Sequence, residues 1–257
     1  MGISLEMQTI LPQLTLEPGY KRVASAIEAQ IVAGRLKEGE LLPTEGDLAE
    51  QLGVHRSTVR EGIRALENAG LVRRAAGKRL AIAIPETSDI CTVITRALGL
   101  MKISFRQLWE MQMQLEPFAA RLASQRITDE LQKALRENIA GLRRNIEDDE
   151  YIPHSDTEFH RLITEAAGNP ALSLSAAPIG ALLFSATVHL YDTVPQARHR
   201  LLVAHEAIVD AIVSEDPAAA EEWMARHIRD FHRGYEVAGF DMSDPIALDA
   251  RAMAYGA

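Results

Sequence analysis

The sequence has a single cysteine, Cys91, among 257 residues. No internal disulfide can staple the fold, which suits a reducing compartment, and the expected location is the cytoplasm. A run of about 20 apolar residues, the length that spans a bilayer, is also lacking. The strongest stretch, 178–190, is short and interrupted by Ser185, Thr187 and His189. No basic segment precedes an apolar run near Met1, so neither a secretory leader nor a membrane partner is expected. Catalytic motifs are equally scarce. His205 and Glu206 begin an H-E-x-x-H pattern, but Val209 stands where the second His belongs. Glu-x-x-His pairs, a nucleophile elbow and a phosphate-cradling glycine loop are absent, and Cys91 reads as a small hydrophobe. A metal-dependent enzyme is therefore the remote reading.

What is present is an ordinary globular composition, 47% hydrophobic and 25% charged. At this length it can bury a sizeable core and divide into two domains. The net charge of −9 is unevenly spread. Residues 19–84 hold eleven Lys and Arg against eight Asp and Glu, about +3, which leaves −12 for the rest. Phosphates respond to local fields within a Debye length of about 8 Å, so an acidic whole does not exclude a nucleic-acid partner.

Helical spacing predicts a helix from Tyr20 to Ile31, with Gly34 as its stop. Thr44 is a natural N-cap with Asp47 three residues on, and Leu48, Ala49 and Leu52 face inward. Gly53 supplies a turn. The next helix runs from about Arg56 to Ala69, burying Val59, Ile63 and Leu66. Leu71–Arg74 and Leu80–Ile84 then form a small hairpin around Gly77. Beyond residue 88 strand signals vanish. Helices are expected at 88–98, 104–125, 128–147, 151–167, 170–190, 196–214 and 217–238, with breaks at Gly99, Asp148, Gly168, Pro195 and Pro217. The expected fold is mainly α: a flexible tail over 1–18, a winged helix-turn-helix over 19–85, an all-helical bundle over 88–238 and a tail over 239–257.

A helix that opens with Arg56, Ser57, Thr58 and Arg60, packed from behind by its neighbour, has the chemistry to read a DNA groove. Arg can bridge guanine O6 and N7, while Ser and Thr suit phosphates or base edges. The competing reading is that these arginines merely pair with surface carboxylates. At the hairpin tip, Gly77, Lys78 and Arg79 can approach the backbone closely and meet phosphate; a plain soluble turn is the alternative. Far away, Asp156 and His160 lie four apart on one helix face. With His205 and His227 they make three imidazoles and a carboxylate, a set that suits Zn first, or Ni, Mn or Fe. On spacing alone a His is more often a surface or core filler, and His154, His189, His199 and His232 read that way.

These residues resemble the GntR family of bacterial regulators, in its FadR-like branch with an FCD effector domain. The front of the chain matches in Gly34-Arg35-Leu36, Gly39, Leu42-Pro43, Val59-Arg60-Glu61, Leu66 and Gly70-Leu71-Val72. The back matches in Asp156 and His160, Asn169-Pro170, His205 before Ala207-Ile208, and His227. The resemblance implies a homodimer on an imperfectly palindromic operator, one divalent metal per chain on Asp156, His160, His205 and His227, and an effector beside it. That effector would be an organic acid or other metabolite, and the family role would be repression of a catabolic operon. A regulator whose metal is purely structural, with no effector, is the alternative. Three positions depart from the family pattern: Gly46 for its usual Arg, His55 for the Ser or Thr that opens the recognition helix, and Gln112 where an Arg often grips a carboxylate effector. A neutral amide at 112 cannot supply a bidentate charged fork.

Overall fold

Thr44 and Asp47 bond each other reciprocally in a capping box, and that pair starts α2 (Glu45–Leu52). Gly53 ends it at φ +63°, a left-handed conformation that other residues adopt only with strain. The chain is then turned into α3 (Arg56–Asn68), whose Val59, Ile63 and Leu66 are fully buried. His55 caps α3 without a side-chain bond, which Ser or Thr could have made. Across the back of α3 runs α1 (Gly19–Val32), seated through Val23 and Ile27. Gly62 permits the close crossing: a Cβ there would lie 2.7 Å from Val23 Cγ1 and 3.0 Å from the Tyr20 carbonyl oxygen. Leu52 does not face inward as its spacing suggests. It is exposed, because the eight-residue helix ends before its last turn can reach the core.

The computed structural model describes residues 17–249 apart from 76 and 78. These divide into two compact units, one ending at Glu86 and the other beginning at Thr87. In the first, β1 (Val72–Arg74) pairs antiparallel with β2 (Leu80–Ile82), Val72 opposite Ile82. Residues 39–42 add a third rung that the sequence did not signal: Leu42 N–H donates to the Leu80 carbonyl and Ile82 N–H to that of Glu40.

The second unit is a helical bundle. Its helices are α4 (Thr87–Leu100), α5 (Phe105–Arg126), α6 (Asp129–Arg144), α7 (Tyr151–Ala166), α8 (Pro170–Thr193), α9 (Ala197–Val213) and α10 (Pro217–Val237). Side-chain oxygens of Ser104, Thr128, Asn169 and Asp216 cap four of them, with Pro at the first position of α8 and α10. α5 is the hub, packed against α7, α8, α9 and α10.

Four expectations change. Gly99 does not break α4; a Cβ there would lie 2.5 Å from Leu248, so the residue makes room for a neighbour. α6 stops at Arg144, not 147, because the following residues wrap the buried Arg198, which donates to the Ile146 carbonyl and to Glu147 and Asp149. α8 reaches 24 residues, long and apolar enough by length and composition to cross a membrane. Within the bundle it is largely buried, with Leu182, Phe184 and Leu190 almost sealed. Residues 240–248, expected to be part of a tail, form a strap along the start of α5. The Asp244 and Met242 carbonyls accept from Phe105 and Arg106 N–H, Ile246 N–H donates to Ile103, and Met242 and Ile246 are buried. Such first-turn amides have no partner within their own helix. The expected tail at 1–18 lies almost wholly outside the described residues, as do 250–257.

Candidate nucleic-acid interface and metal centre

Arg56, Ser57 and Arg60 are exposed at the start of α3, on the side away from Val59 and Ile63. Thr58 is half-buried, and its methyl lies 3.0 Å from where a Cβ on Gly19 would sit. Both guanidiniums meet one carboxylate oxygen of Glu45: Arg56 Nε at 3.3 Å, and Arg60 through Nε at 3.2 Å and Nη2 at 3.1 Å. Arg60 holds the Glu45 carboxyl below its ordinary range; burial opposes this, and Arg56 assists. Gly77 stands at the hairpin tip with φ +75° and open space around it, while Arg73 and Arg79 are exposed. Arg74 is drawn off to Glu67 at 3.2 Å. Lys78 lies outside the described residues.

In the bundle, three helices bring the four sequence-selected ligands together. Asp156 and His160 come from one face of α7, His205 from α9 and His227 from α10. Their donor atoms all lie within 4.8 Å of one another. His205 Nε2 is 3.2 Å from Asp156 Oδ1, His160 Nε2 is 3.7 Å from the same oxygen, and His160 and His227 approach at 3.1 Å between Nε2 atoms. Donors that share one ion through bonds of about 2.0–2.2 Å sit roughly 3–4 Å apart, so this spacing fits. A cavity of about 20 Å³ opens among Asp156, His160, His227 and Gln112, room for a single ion or water.

Unpaired atoms make the stronger test of fit. His205 is wholly buried, and among the described residues its Nδ1 has no hydrogen-bond partner, while its Nε2 and Asp156 Oδ1 face each other at 3.2 Å without the alignment of a hydrogen bond. Buried polar atoms left so are costly, and a cation would satisfy them. Phe159 stacks on His205 with centroids 3.6 Å apart and fixes the ring plane. Burial pushes His205 and His227 below the usual imidazole range, so both offer a lone pair. Burial also opposes charge on His160, but Glu116 and Asp156 outweigh it and draw that ring up to about 10. Burial works against the Asp156 carboxylate too, yet His160 and His205 hold it well below the ordinary carboxylate range. A ligating His160 must release its Nε2 proton.

Sequence reasoning missed the role of Glu116. Its Oε2 lies 2.5 Å from His160 Nδ1, the ring nitrogen turned away from the other ligands. Carboxylates so placed fix the orientation and raise the basicity of metal-binding imidazoles. Gln112, one turn earlier on α5, donates from Nε2 to Glu116 Oε1 at 3.2 Å, while its own oxygen has no partner among the described residues. Beyond His160 and Glu116 a second cavity of about 360 Å³ opens between α4, α7 and α8. Thr87, Ser88, Thr164 and Ser173 give it hydroxyl walls, and Arg161, paired to Glu158 and Glu165, lies on its rim. None of those residues stood out in the sequence. His154, His189 and His232 pack instead against Phe184, Phe240 and Trp109, and His199 is exposed.

A family description for bacterial regulatory proteins of the gntR family fits residues 19–82, and one for the FCD domain fits residues 107–230. The chain is 30% identical over 220 residues to the HTH-type transcriptional repressor NanR of Cronobacter sakazakii, covering 80% of this chain and 81% of that one. It matches NanR of Salmonella newport at the same identity and coverage. Among solved structures, Streptococcus agalactiae GntR aligns with a TM-score of 0.58 and 26% identity, over 83% of this chain and 99% of that one.

Proposed function

The chain belongs to the GntR family of bacterial regulatory proteins, with an FCD domain behind its DNA reader, and we propose how this metabolite-responsive, DNA-binding repressor works. Arg56, Ser57, Thr58 and Arg60 enter the major groove, and Gly77, Lys78 and Arg79 follow the backbone beside it. Two copies bind as a homodimer, each reading half of an imperfect palindrome, in the cytoplasm where the chromosome lies. The regulated genes form a catabolic operon.

Asp156, His160, His205 and His227 hold one divalent metal per chain, Zn first and Ni, Mn or Fe as alternatives. The ion would supply a fixed positive charge and an open coordination position for an oxygen of the effector. Gln112 lies at the inner end of that space, where its unpartnered oxygen accepts a donor from the effector or from water. The 360 Å³ cavity next to His160 is of the size that takes a small metabolite. Occupancy there changes how α4, α7 and α8 pack and lowers DNA affinity; couplings of about 1–3 kcal/mol are usual for such devices.

The observation that carries this reading is the convergence of four buried ligands with unsatisfied atoms beside a cavity of metabolite size. Elemental analysis of chelator-free protein tests it. About one metal per chain is expected, lost in His205→Ala, while Arg60→Ala keeps the metal and loses roughly 1–3 kcal/mol of operator affinity. Metal-free protein prepared without chelators, or full DNA affinity in Arg60→Ala, would each remove its half of the reading.

A further inference from the structure

We propose that Glu45 is a specificity-determining positioning residue: it aims Arg56 and Arg60, and its negative charge restrains binding to DNA of any sequence. The proposal rests on the reading of α3 as the recognition helix.

Glu45 is the first residue of α2, and Gly46 follows it, so both of its cationic partners come from α3. One oxygen, Oε2, accepts from Nε of Arg56 and from Nε and Nη2 of Arg60. The terminal amino groups of Arg56 and Nη1 of Arg60 take no part in those bonds. Guanine is read by paired N–H donors from one guanidinium on O6 and N7, and Glu45 fixes the far side of that fork on Arg56. The arginine side chains are 67% and 52% exposed, whereas Glu45 is only 20% exposed, so the carboxylate lies beneath them as a seat. Exposed ion pairs contribute little to stability, and the consequence here is orientation. An arginine already ordered loses less freedom when it docks.

The second consequence is electrostatic. Three charged groups in contact carry a net of one positive charge, where the two arginines alone carry two. Sequence-independent affinity follows the number of phosphates neutralised. A carboxylate at this place lowers adhesion to every duplex alike, while correct base contacts return affinity to the matching one.

The test begins with an operator selected from a random-sequence pool by the full-length protein. Binding of the wild type, Glu45→Gln, Glu45→Asp, Arg56→Ala and Arg60→Ala is then measured on that duplex and on a shuffled duplex of equal length, across a salt series. Glu45→Gln should bind the shuffled duplex about 3–10-fold more tightly, with a salt dependence steeper by roughly one counterion per protomer. Its preference for the selected duplex should fall about tenfold, the size of one lost base contact. Glu45→Asp keeps the charge but shortens the reach: preference falls while shuffled binding stays as in the wild type. A Glu45→Gln protein that keeps its preference within about twofold overturns the proposal and leaves Glu45 an incidental surface pair. If both arginine variants bind both duplexes as the wild type does, the recognition-helix reading itself is wrong.

Discussion

Glu116 is buried in the middle of α5 and touches His160 at the ring nitrogen opposite the one that faces the cluster. Replacing it by Gln keeps the shape and removes the carboxylate partner of His160 Nδ1. Metal affinity is expected to fall about 10–100-fold, the usual cost of losing such a partner, with the fold retained. Competition against a chelating dye measures it, and unchanged affinity would reduce Glu116 to a structural residue. The four clustered residues could be picked out because Asp156 and His160 have helical spacing and because the whole set matches a family pattern. Glu116 could not, since its partner lies 44 residues further along a different helix and no local pattern records the meeting. The sequence pointed to Arg56 and Arg60 as candidate groove readers, but not to their shared seat on Glu45, because the turn at Gly53 decides which α2 residue lies under them.

Helices followed from caps and apolar periodicity, and their ends were set by tertiary partners. α6 ends early because Arg198, from α9, needs the carbonyl and carboxylates of the loop that follows it. α4 runs through Gly99 because Leu248 occupies the space a side chain would take. Neither partner is near in sequence, so neither boundary could be read locally. Gly62 is the comparable position in the DNA reader. Gly62→Ala would force a methyl against Val23 and the Tyr20 carbonyl, with a β-branched residue and backbone as the obstacles. A loss of about 1–3 kcal/mol is expected from this overpacking, despite the better helix propensity of Ala. Hydrogen exchange should accelerate in α1 and α3 and leave the bundle unchanged; exchange at the wild-type rate would mean that α1 can shift at no cost.

At the scale of the whole chain, a reader of about +3 is joined to a remainder of −12. Affinity for operator DNA should nevertheless fall steeply with salt, because only local phosphate contacts release counterions. Six to ten contacts across a dimer correspond to a loss of roughly 10³–10⁵ between 50 and 200 mM salt. Footprinting should reveal two protected half-sites about one helical turn, roughly 10 bp, apart. A weak salt slope or a single unpaired footprint would contradict the proposed two-fold arrangement. The division into two units was legible in the change from mixed to purely helical patterning near residue 88, and the packed strap was not, since the segment GFDMSDPIAL has no periodicity of its own.

That strap has a further consequence during synthesis. The first amides of α5 obtain their acceptors from Met242 and Asp244, which leave the ribosome some 140 residues after Phe105. The winged unit is complete long before then. A chain stopped shortly after Val237 would therefore keep the winged unit and every helix of the bundle, yet leave the opening amides of α5 without these acceptors.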